Sequence, residues 1–245
     1  MIDRSNKVRS IISLKDERRL AWLIDPDKVD FLEKIPDLAY AAGVDYFLVG
    51  GSLLKNAFMK DLVHFLKQKV NIPVLLFPGS SLQIVPTVDA ILFLCLISGR
   101  NPDFLIGQHV LAAPLIYHYQ IPTISVGYIL IDSGKPTSVS YISQTMPIPA
   151  NKVDIIVATG LAGQYLGMQM LYLEAGSGAE NTINAAIVAE LKQTLSIPIW
   201  VGGGVDSPKK MQEFFNAGAD VVVIGTAFEK SPTISFMQHF KDRGI

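Results

Sequence analysis

Eight short apolar segments of β-strand type, alternating with segments of helical type, restrict the fold of this chain more than any other feature. Most of these segments end at Asp, Gly, Pro or Ser, which are residues typical of turns. Continuous apolar runs of this kind are typical of parallel strands that are covered on both faces. The eight predicted strands are residues 20–24, 46–49, 74–77, 90–94, 123–130, 169–173, 199–201 and 221–224.

The segments between these strands mostly show helical patterns and helix-end signals. Gly43 is a natural C-terminal cap, while Ser207 and Pro208 resemble an N-terminal cap and first helical residue. Residues 78–89 contain two prolines and little periodicity, so no full helix is expected there. The predicted helices are residues 31–42, 54–69, 102–119, 149–167, 180–195, 209–217 and 231–241.

Alternating strands and helices over 245 residues predict one domain, residues 1–245, folded as an α/β (β/α)8 TIM barrel. The third helix of this barrel is expected to be replaced by an irregular segment. A doubly wound open sheet is the alternative. Glycine-rich loops after the last two strands favour the barrel, because those loops commonly form its phosphate site.

Composition narrows the classes of function. A net charge of -1 argues against a broad nucleic-acid surface but leaves room for a small phosphate pocket. Cys95 is the single cysteine, which excludes an intrachain disulfide and fits the cytoplasm. No apolar run approaches the roughly 18 residues of a membrane span. The mean hydropathy of +0.34 is explained by a buried sheet or, alternatively, by an additional apolar ligand.

Two polar segments follow the first two predicted strands, at the end of a barrel where active sites lie. Asp25 opens the segment Asp-Pro-Asp-Lys, and its carboxylate suits Mg²⁺, which prefers oxygen ligands. An Asp-Pro turn in which Asp27 caps the next helix is the competing interpretation. Ser52 follows two glycines and either presents its hydroxyl to a ligand or caps a helix.

A third segment at the end of the sixth strand combines a carboxylate with a glycine-rich loop. Glu174 is placed to act as a general base, and the loop amides that follow it form an anion site. An ordinary turn needs fewer glycines than this one contains. The segment consists of Tyr172, Leu173, Glu174, Ala175, Gly176, Ser177 and Gly178.

Two further glycine turns lie about 22 residues apart, after the seventh and eighth strands. Their backbone amides can bind a phosphate without excess positive charge. Two tight turns of purely structural purpose are the alternative. The residues assigned to this phosphate site are Gly203, Gly204, Gly225 and Thr226.

Other side chains give weaker signals. His109 follows the fourth strand and either contacts a diphosphate or packs on its helix. Arg100 either contacts an anion or is solvated. Cys95, Trp22 and Tyr128 are interpreted as core residues.

Taken in order, these segments resemble the geranylgeranylglyceryl phosphate synthase family, also called the PcrB-like prenyltransferases. The resemblance extends from Ala21 to Glu229, and Tyr172–Gly178 is its most specific part. It implies a (β/α)8 barrel that transfers a long prenyl group, geranylgeranyl by default, from its diphosphate to the 3-hydroxyl of sn-glycerol 1-phosphate with Mg²⁺. In this family a looser segment replaces the third helix beside the prenyl groove, and the irregular residues 78–89 resemble that segment.

The resemblance also implies a role for each matching residue. Asp25 and Ser52 are the expected magnesium positions, and Glu174 orients or deprotonates the acceptor hydroxyl with support from Tyr172. Residues 172–178 are expected to hold the glycerol phosphate, and the glycine turns at 203–204 and 225–226 its phosphate group. Residues 98–109 resemble the family's loop after the fourth strand, except that Asn101 lies further from the strand end than expected.

Two rival functions differ in class from prenyl transfer. One is another phosphate-binding barrel enzyme, an isomerase or synthase, which would share only the glycine turns. The other is a non-catalytic barrel that binds a lipid phosphate. For the enzyme itself we expect self-association through exposed apolar helix faces, and transient contact with a membrane during product release.

Overall fold

The eight strands close into a parallel barrel in the order β1-β2-β3-β4-β5-β6-β7-β8, which confirms the predicted fold class. The computed structural model describes residues 8, 10–12, 17–55 and 58–243. The strands are β1 Arg19–Ile24, β2 Tyr46–Val49, β3 Val74–Leu76, β4 Ala90–Leu96, β5 Thr123–Leu130, β6 Met170–Glu174, β7 Ile199–Gly202 and β8 Val221–Ile224. Each predicted strand is therefore present, with ends shifted by at most two residues.

Helices surround this barrel, and several begin later than the sequence predicted. They are α1 Ile35–Ala42, α2 Met59–Lys69, α3 Gln108–Tyr119, α4 Ser138–Ser143, α5 Val153–Tyr165, α6 Ala185–Thr194, α7 Pro208–Asn216, α8 Thr226–Lys230 and α9 Ile234–Gln238. A π-helical turn, Asp103–Gly107, precedes α3, and 3-10 turns lie at Pro26–Lys28, Leu32–Lys34 and Ser81–Gln83.

Local signals explain where several helices begin and end. Gly43 caps α1 with φ +68°, and the Ser207 side chain accepts a hydrogen bond from the Lys210 amide at 3.4 Å, as predicted. Helix α6 begins after Asn184, whose side chain accepts from the Ala186 amide, rather than at Glu180. The short helices α4 and α8 were not predicted, because neither is long enough to show a period. Asn56 and Ala57, in the predicted helix 54–69, lie outside the described residues.

Alternation along the strands divides the core into two layers. Side chains such as Tyr46, Leu48 and Trp200 fill the inside of the barrel. Those of opposite parity, such as Trp22 and Phe47, pack against the surrounding helices. This arrangement explains the uninterrupted apolar runs in the sequence, since most strand residues are buried on both faces of the barrel wall.

At the amino-terminal ends of the strands, three buried or half-buried carboxylates connect neighbours. Asp45, Asp89 and Asp220 each precede a strand and accept a hydrogen bond from a backbone amide at the start of the preceding strand. Each carboxylate also pairs with a basic side chain. These bonds satisfy amides that would otherwise be buried without partners.

None of the helices within the described residues has both the length and the apolar character needed to cross a membrane. The one helical turn within residues 78–89 is Ser81–Gln83, in agreement with the prediction that no full helix forms there.

Candidate active site

Because every strand is parallel to its neighbours, the carboxyl ends of all eight strands meet at one mouth of the barrel. This mouth collects the residues that the sequence assigned to chemistry in separate loops. They are Asp25 after β1, Ser52 after β2, Tyr172–Gly178 at the end of β6, Gly203 and Gly204 after β7, and Gly225 and Thr226 after β8.

Glu174, the last residue of β6, is a buried carboxylate at this mouth, with 5% of its surface exposed. Its Oε1 accepts a hydrogen bond from the Gly176 amide at 2.5 Å. Burial raises the pKa of Glu174 to about 7, although the Gly176 amide and the hydroxyls of Tyr172 and Tyr128 act in the opposite direction. A carboxyl group with such a pKa exchanges a proton readily near neutral pH, as a general base must.

Two stacked tyrosines form one wall beside Glu174. Tyr128 on β5 pairs in register with Tyr172 on β6, and their ring centroids are 5.4 Å apart. Phe77 packs 5.0 Å from the Tyr172 ring. Burial, followed by the charge of Glu174, raises the pKa of both tyrosines well above the ordinary value, so both phenols stay protonated.

The Tyr172 hydroxyl is fully buried and makes no hydrogen bond of standard geometry within the described residues. It nevertheless lies near enough to Glu174 to favour the ionised carboxylate. Since buried hydroxyls are normally paired, the nearby Glu174 carboxylate is the natural partner of this group.

Sequence reasoning assigned Tyr128 to the core and missed its place beside Glu174. The side chain is indeed buried. However, the parallel register brings Tyr128 opposite Tyr172 and Leu130 opposite Glu174. A tyrosine within a strand has no local signal for this neighbour, since the pairing of β5 with β6 creates it.

Glycine is required at 203 by both conformation and space. Gly203 has φ +87°, and a Cβ atom there would lie 2.5 Å from Glu174 Oε1 and 2.7 Å from the Ala175 amide nitrogen. The preceding Gly202 accepts a hydrogen bond from that same amide at 3.2 Å. The β7 loop therefore lies directly against the carboxylate, which the sequence alone did not indicate.

The remaining residues of segment 172–178 occupy two different environments. The side chains of Leu173 and Ala175 are buried in the layer between strands and helices, so only their backbones face the mouth. Ser177 and Gly178 lie in an exposed turn. The predicted substrate-binding segment thus offers backbone groups at most positions, and side chains at Tyr172 and Glu174.

The two phosphate-type turns are neighbours because β7 and β8 pair with each other. Gly204 lies close to Thr182 in the loop that precedes α6. Gly225 lies near the Leu23 carbonyl, and Thr226 is the first residue of α8. Successive glycine amides at such a position form an anion-binding concavity without a cationic side chain.

Asp25 lies across the mouth in a network of polar contacts. Its Oδ1 accepts from the Asp27 amide at 3.1 Å, and its Oδ2 pairs with Lys28 Nζ at 2.8 Å. The Asp27 carboxylate in turn accepts from the Lys55 amide at 2.6 Å, which ties the loops after β1 and β2 together. The competing interpretation is therefore correct about a capped Asp-Pro turn but wrong about the capping residue, which is Asp25 and not Asp27.

Glu229 on α8 is a neighbour of Asp25 that sequence reasoning missed. Its Oε1 accepts from the Asp25 amide at 3.4 Å, and its Oε2 lies 3.9 Å from Lys28 Nζ. Burial raises the pKa of Glu229, while Lys28 acts to lower it. Burial alone would lower the pKa of Lys28, but the pairs with Asp25 and Glu229 raise it.

The donor set at Asp25 suits a weakly held magnesium ion. Among the described residues there is no group of three or more His, Cys, Asp or Glu that encloses a metal. Mg²⁺ commonly takes one or two carboxylates and completes its shell with water and substrate phosphates. Gly51 lies beside Asp25 Oδ1, and the adjacent Ser52 lines the same mouth, so these residues fit such an ion.

A groove of about 110 Å³ leads from the mouth toward the outside of the barrel between β4 and α3. Ser52 and Tyr128 line this groove together with apolar side chains that include Ile91, Phe93 and Ala112. Residues 78–81 form one rim of the groove, where the irregular segment replaces a helix. No α-helix lies between β3 and β4 within the described residues 77–89, and the apolar groove opens at the place where such a helix would pack.

The loop after β4 supports the groove and makes few contacts suited to a ligand. Asn101 donates through Nδ2 to the Ser143 carbonyl at 2.7 Å, and Arg100 donates to the Gly99 carbonyl at 2.7 Å. His109 is buried with its ring edge-on to Phe93, and burial lowers its pKa. Cys95 is half-buried, and burial raises the pKa of its thiol.

Comparison with known proteins identifies relatives over nearly the whole chain. The model of the PcrB family matches residues 13–242. A geranylgeranylglyceryl phosphate synthase from Spirosoma linguale is 45% identical, with 90% of each chain covered. Another protein of that name, from Thermococcus gammatolerans, is 38% identical over 90% of this chain and 88% of its own.

Solved structures agree with these sequence relatives. The (S)-3-O-geranylgeranylglyceryl phosphate synthase of Thermoplasma acidophilum, in complex with its substrate sn-glycerol-1-phosphate, superposes with a TM-score of 0.88. That protein is 31% identical, and the match covers 98% of this chain and 97% of the other. A thiamine phosphate pyrophosphorylase from Pyrococcus furiosus, 12% identical with a TM-score of 0.56, shares the fold alone.

Proposed function

Because the chain belongs to the PcrB family, we propose that it transfers a long-chain prenyl group to the 3-hydroxyl of sn-glycerol 1-phosphate. The donor is a prenyl diphosphate, geranylgeranyl diphosphate by default, and the product is an ether with release of diphosphate. The names of the relatives support this reaction, as does the relative whose structure contains sn-glycerol-1-phosphate.

The observation that carries this proposal is the position of Glu174 between an apolar groove and glycine-rich turns. Tyr128, which interacts with the Glu174 carboxylate, also lines the groove. Gly203 of the β7 turn lies directly against the same carboxylate. One site thus accommodates a hydrocarbon tail on one side and a phosphate on the other, with a base between them.

The chain's own residues act on the acceptor through position and proton transfer. Backbone amides of the turns at 203–204 and 225–226 hold the phosphate of the acceptor, and Tyr172 orients its 3-hydroxyl toward Glu174. The hydroxyl oxygen attacks C1 of the prenyl group, the bond from C1 to the diphosphate oxygen breaks, and the proton moves to Glu174. Holding both substrates in one geometry supplies much of the rate enhancement.

We further propose that Mg²⁺ binds at Asp25 with Ser52 nearby. When bound, this ion neutralises charge on the diphosphate and makes it a better leaving group. The single carboxylate and the nearby hydroxyl leave room for the phosphate oxygens that complete the shell.

A product assay tests the proposed reaction directly. The protein is incubated with Mg²⁺, labelled sn-glycerol 1-phosphate and prenyl diphosphates of several lengths, and the organic-extractable label is counted. We expect product with at least one long-chain donor and none without a donor. Absence of product at every length would favour the rival functions, a different phosphate-binding enzyme or a non-catalytic barrel.

The pH dependence of turnover should follow Glu174. Since its pKa is about 7 and the base must be ionised, kcat is expected to rise as pH increases through about 7 and to level off above it. Steady-state rates between pH 5.5 and 9 at saturating substrates measure the midpoint. A rate that is flat across this range would remove Glu174 as the base.

Replacing Tyr128 with Phe should weaken turnover and shift the pH midpoint upward. The Tyr128 hydroxyl favours the ionised form of Glu174 and so lowers its pKa. Without this hydroxyl, burial raises the pKa of Glu174 further. We expect kcat to fall roughly tenfold, the effect of a lost hydrogen bond to a charged group. Tyr46→Phe is the matched control, since Tyr46 is buried and stacked on Trp200. A midpoint that moves equally in both variants would contradict the assignment.

Self-association is proposed from the outer face of α3. Val110, Leu111, Leu115 and Tyr117 are exposed apolar side chains on this helix. Exposed apolar area of this kind is typical of protein interfaces. Light scattering coupled to size exclusion, on the wild type and on a Leu111→Glu variant, measures the assembly and the contribution of this face.

A further inference from the structure

Lys28 occupies the position beside Asp25 where a cation would bind. Its Nζ lies 2.8 Å from Asp25 Oδ2 and 3.9 Å from Glu229 Oε2. Asp25 Oδ1 is already engaged by the Asp27 amide. A divalent ion approaching Asp25 therefore meets a carboxylate whose second oxygen is paired with an ammonium group.

Whether a divalent ion binds tightly at Asp25 depends on where the Lys28 ammonium group lies. Two cations that share one carboxylate group repel each other strongly, because like charges a few ångströms apart are only partly screened by solvent. The Lys28 side chain is half-exposed on a flexible stem, so it can leave Asp25 when a stronger anion is available. A diphosphate at the mouth is such an anion, because it carries several charges and accepts hydrogen bonds from an ammonium group.

The geometry points to Lys28 as a resident counter-cation of Asp25 that weakens divalent-metal binding until a diphosphate draws the ammonium away. Lys28 then contacts the diphosphate itself. This inference rests on the proposed function, which supplies the diphosphate and the metal position. In the free protein Lys28 satisfies Asp25 and Glu229, and in the loaded protein it adds a second positive charge beside the leaving group.

Metal binding to the protein without substrate tests whether Lys28 competes with a divalent ion at Asp25. Mn²⁺ is the probe, because its free-ion paramagnetic resonance signal disappears on binding and it shares the oxygen preference of Mg²⁺. Lys28→Met is expected to bind Mn²⁺ on the order of tenfold more tightly than the wild type. Lys28→Arg retains the charge and should bind as the wild type does. Lys210→Met, which breaks a similar ion pair between Lys210 on α7 and Asp206 in the loop before it, should also leave binding unchanged.

Calorimetric titration with inorganic pyrophosphate at saturating Mg²⁺ tests whether Lys28 contacts the diphosphate. Lys28→Met is expected to weaken pyrophosphate binding on the order of tenfold, because it removes a charge-assisted contact. Lys28→Arg should retain most of the affinity. Pyrophosphate affinity that is unchanged in Lys28→Met would overturn the role of Lys28 as a diphosphate contact.

Asp25→Asn distinguishes failure of this inference from failure of the metal assignment. If Asp25→Asn abolishes Mn²⁺ binding but Lys28→Met binds no more tightly than the wild type, Lys28 is not the counter-cation and the metal position stands. If Asp25→Asn binds Mn²⁺ as the wild type does, both the counter-cation and the metal position are wrong. Tighter binding in Lys28→Met together with lost binding in Asp25→Asn supports the inference.

Discussion

Glu174→Gln is expected to reduce kcat by roughly 10²- to 10⁴-fold, the usual contribution of a general base. The amide keeps the shape of the carboxyl group and can still accept the Gly176 amide hydrogen bond, but it cannot take a proton. Binding of sn-glycerol 1-phosphate should remain close to the wild-type value, because the backbone amides hold its phosphate. Single-turnover rates and acceptor titration separate the two effects.

Glu180→Gln is the matched control for this variant. Glu180 belongs to the same loop region but is exposed, so its loss should leave kcat unchanged. Turnover of Glu174→Gln near the wild-type rate would remove Glu174 from the mechanism.

Glu174→Gln should also stabilise the fold at alkaline pH. A carboxyl group whose pKa rises from 4.5 when unfolded to about 7 when folded is penalised in its ionised form. Below pH 4.5 the carboxyl group is protonated in both the folded and the unfolded protein, so the folded state bears no penalty. As pH rises from 4.5 through about 7, the folded protein loses stability relative to the unfolded chain. Above pH 7 the ionised carboxylate therefore costs about 3 kcal/mol, which Gln avoids. Urea unfolding at pH 5 and pH 8 should show a larger gain for Glu174→Gln at pH 8.

Gly203→Ala has the second large expected effect. The new methyl group would meet Glu174 Oε1 at 2.5 Å and the Ala175 amide nitrogen at 2.7 Å. Because one of these groups is the proposed base and the other is backbone, the loop must shift, and even small displacements of reacting groups cost about 10²-fold in rate. We expect kcat/KM to fall by about that factor, with a loss of stability measurable by urea unfolding.

Gly167→Ala separates the steric effect from backbone strain. Gly167 has φ +85°, nearly the value at Gly203, but a Cβ there would meet nothing within 4 Å. This control should lose only the roughly 1–2 kcal/mol of a left-handed non-glycine residue and keep full activity. Equal losses of activity in the two variants would show that contact with Glu174 is not the cause.

Much of the fold was predictable because the relevant signals are local. The strands at residues 123–130 and 221–224 were assigned with their observed bounds, since uninterrupted apolar runs between turns mark buried strands. Helix ends at Gly43 and Ser207 were predicted from capping residues alone. The helices that were missed, α4 and α8, have only six and five residues, too few to show a helical period.

The candidate site was predictable only in part. Asp25, Ser52 and Glu174 were identified because each follows a strand, and the carboxyl ends of parallel strands share one mouth. Tyr128 and Glu229 were not identified, because their importance depends on register and on the packing of α8. The backbone-only contribution of Leu173 also emerged only from the two-layer core.

The sequence by itself thus determined the number of strands, their burial on both faces and the chemical groups at their ends. These properties depend on neighbours along the chain, through residue type and periodicity. The tertiary structure alone decided the pKa of Glu174, the pairing of Lys28 with Asp25 and Glu229, and the groove beside residues 78–81. Desolvation, ion pairing and cavity shape arise between residues distant in sequence, so closure of the barrel had to bring them together first.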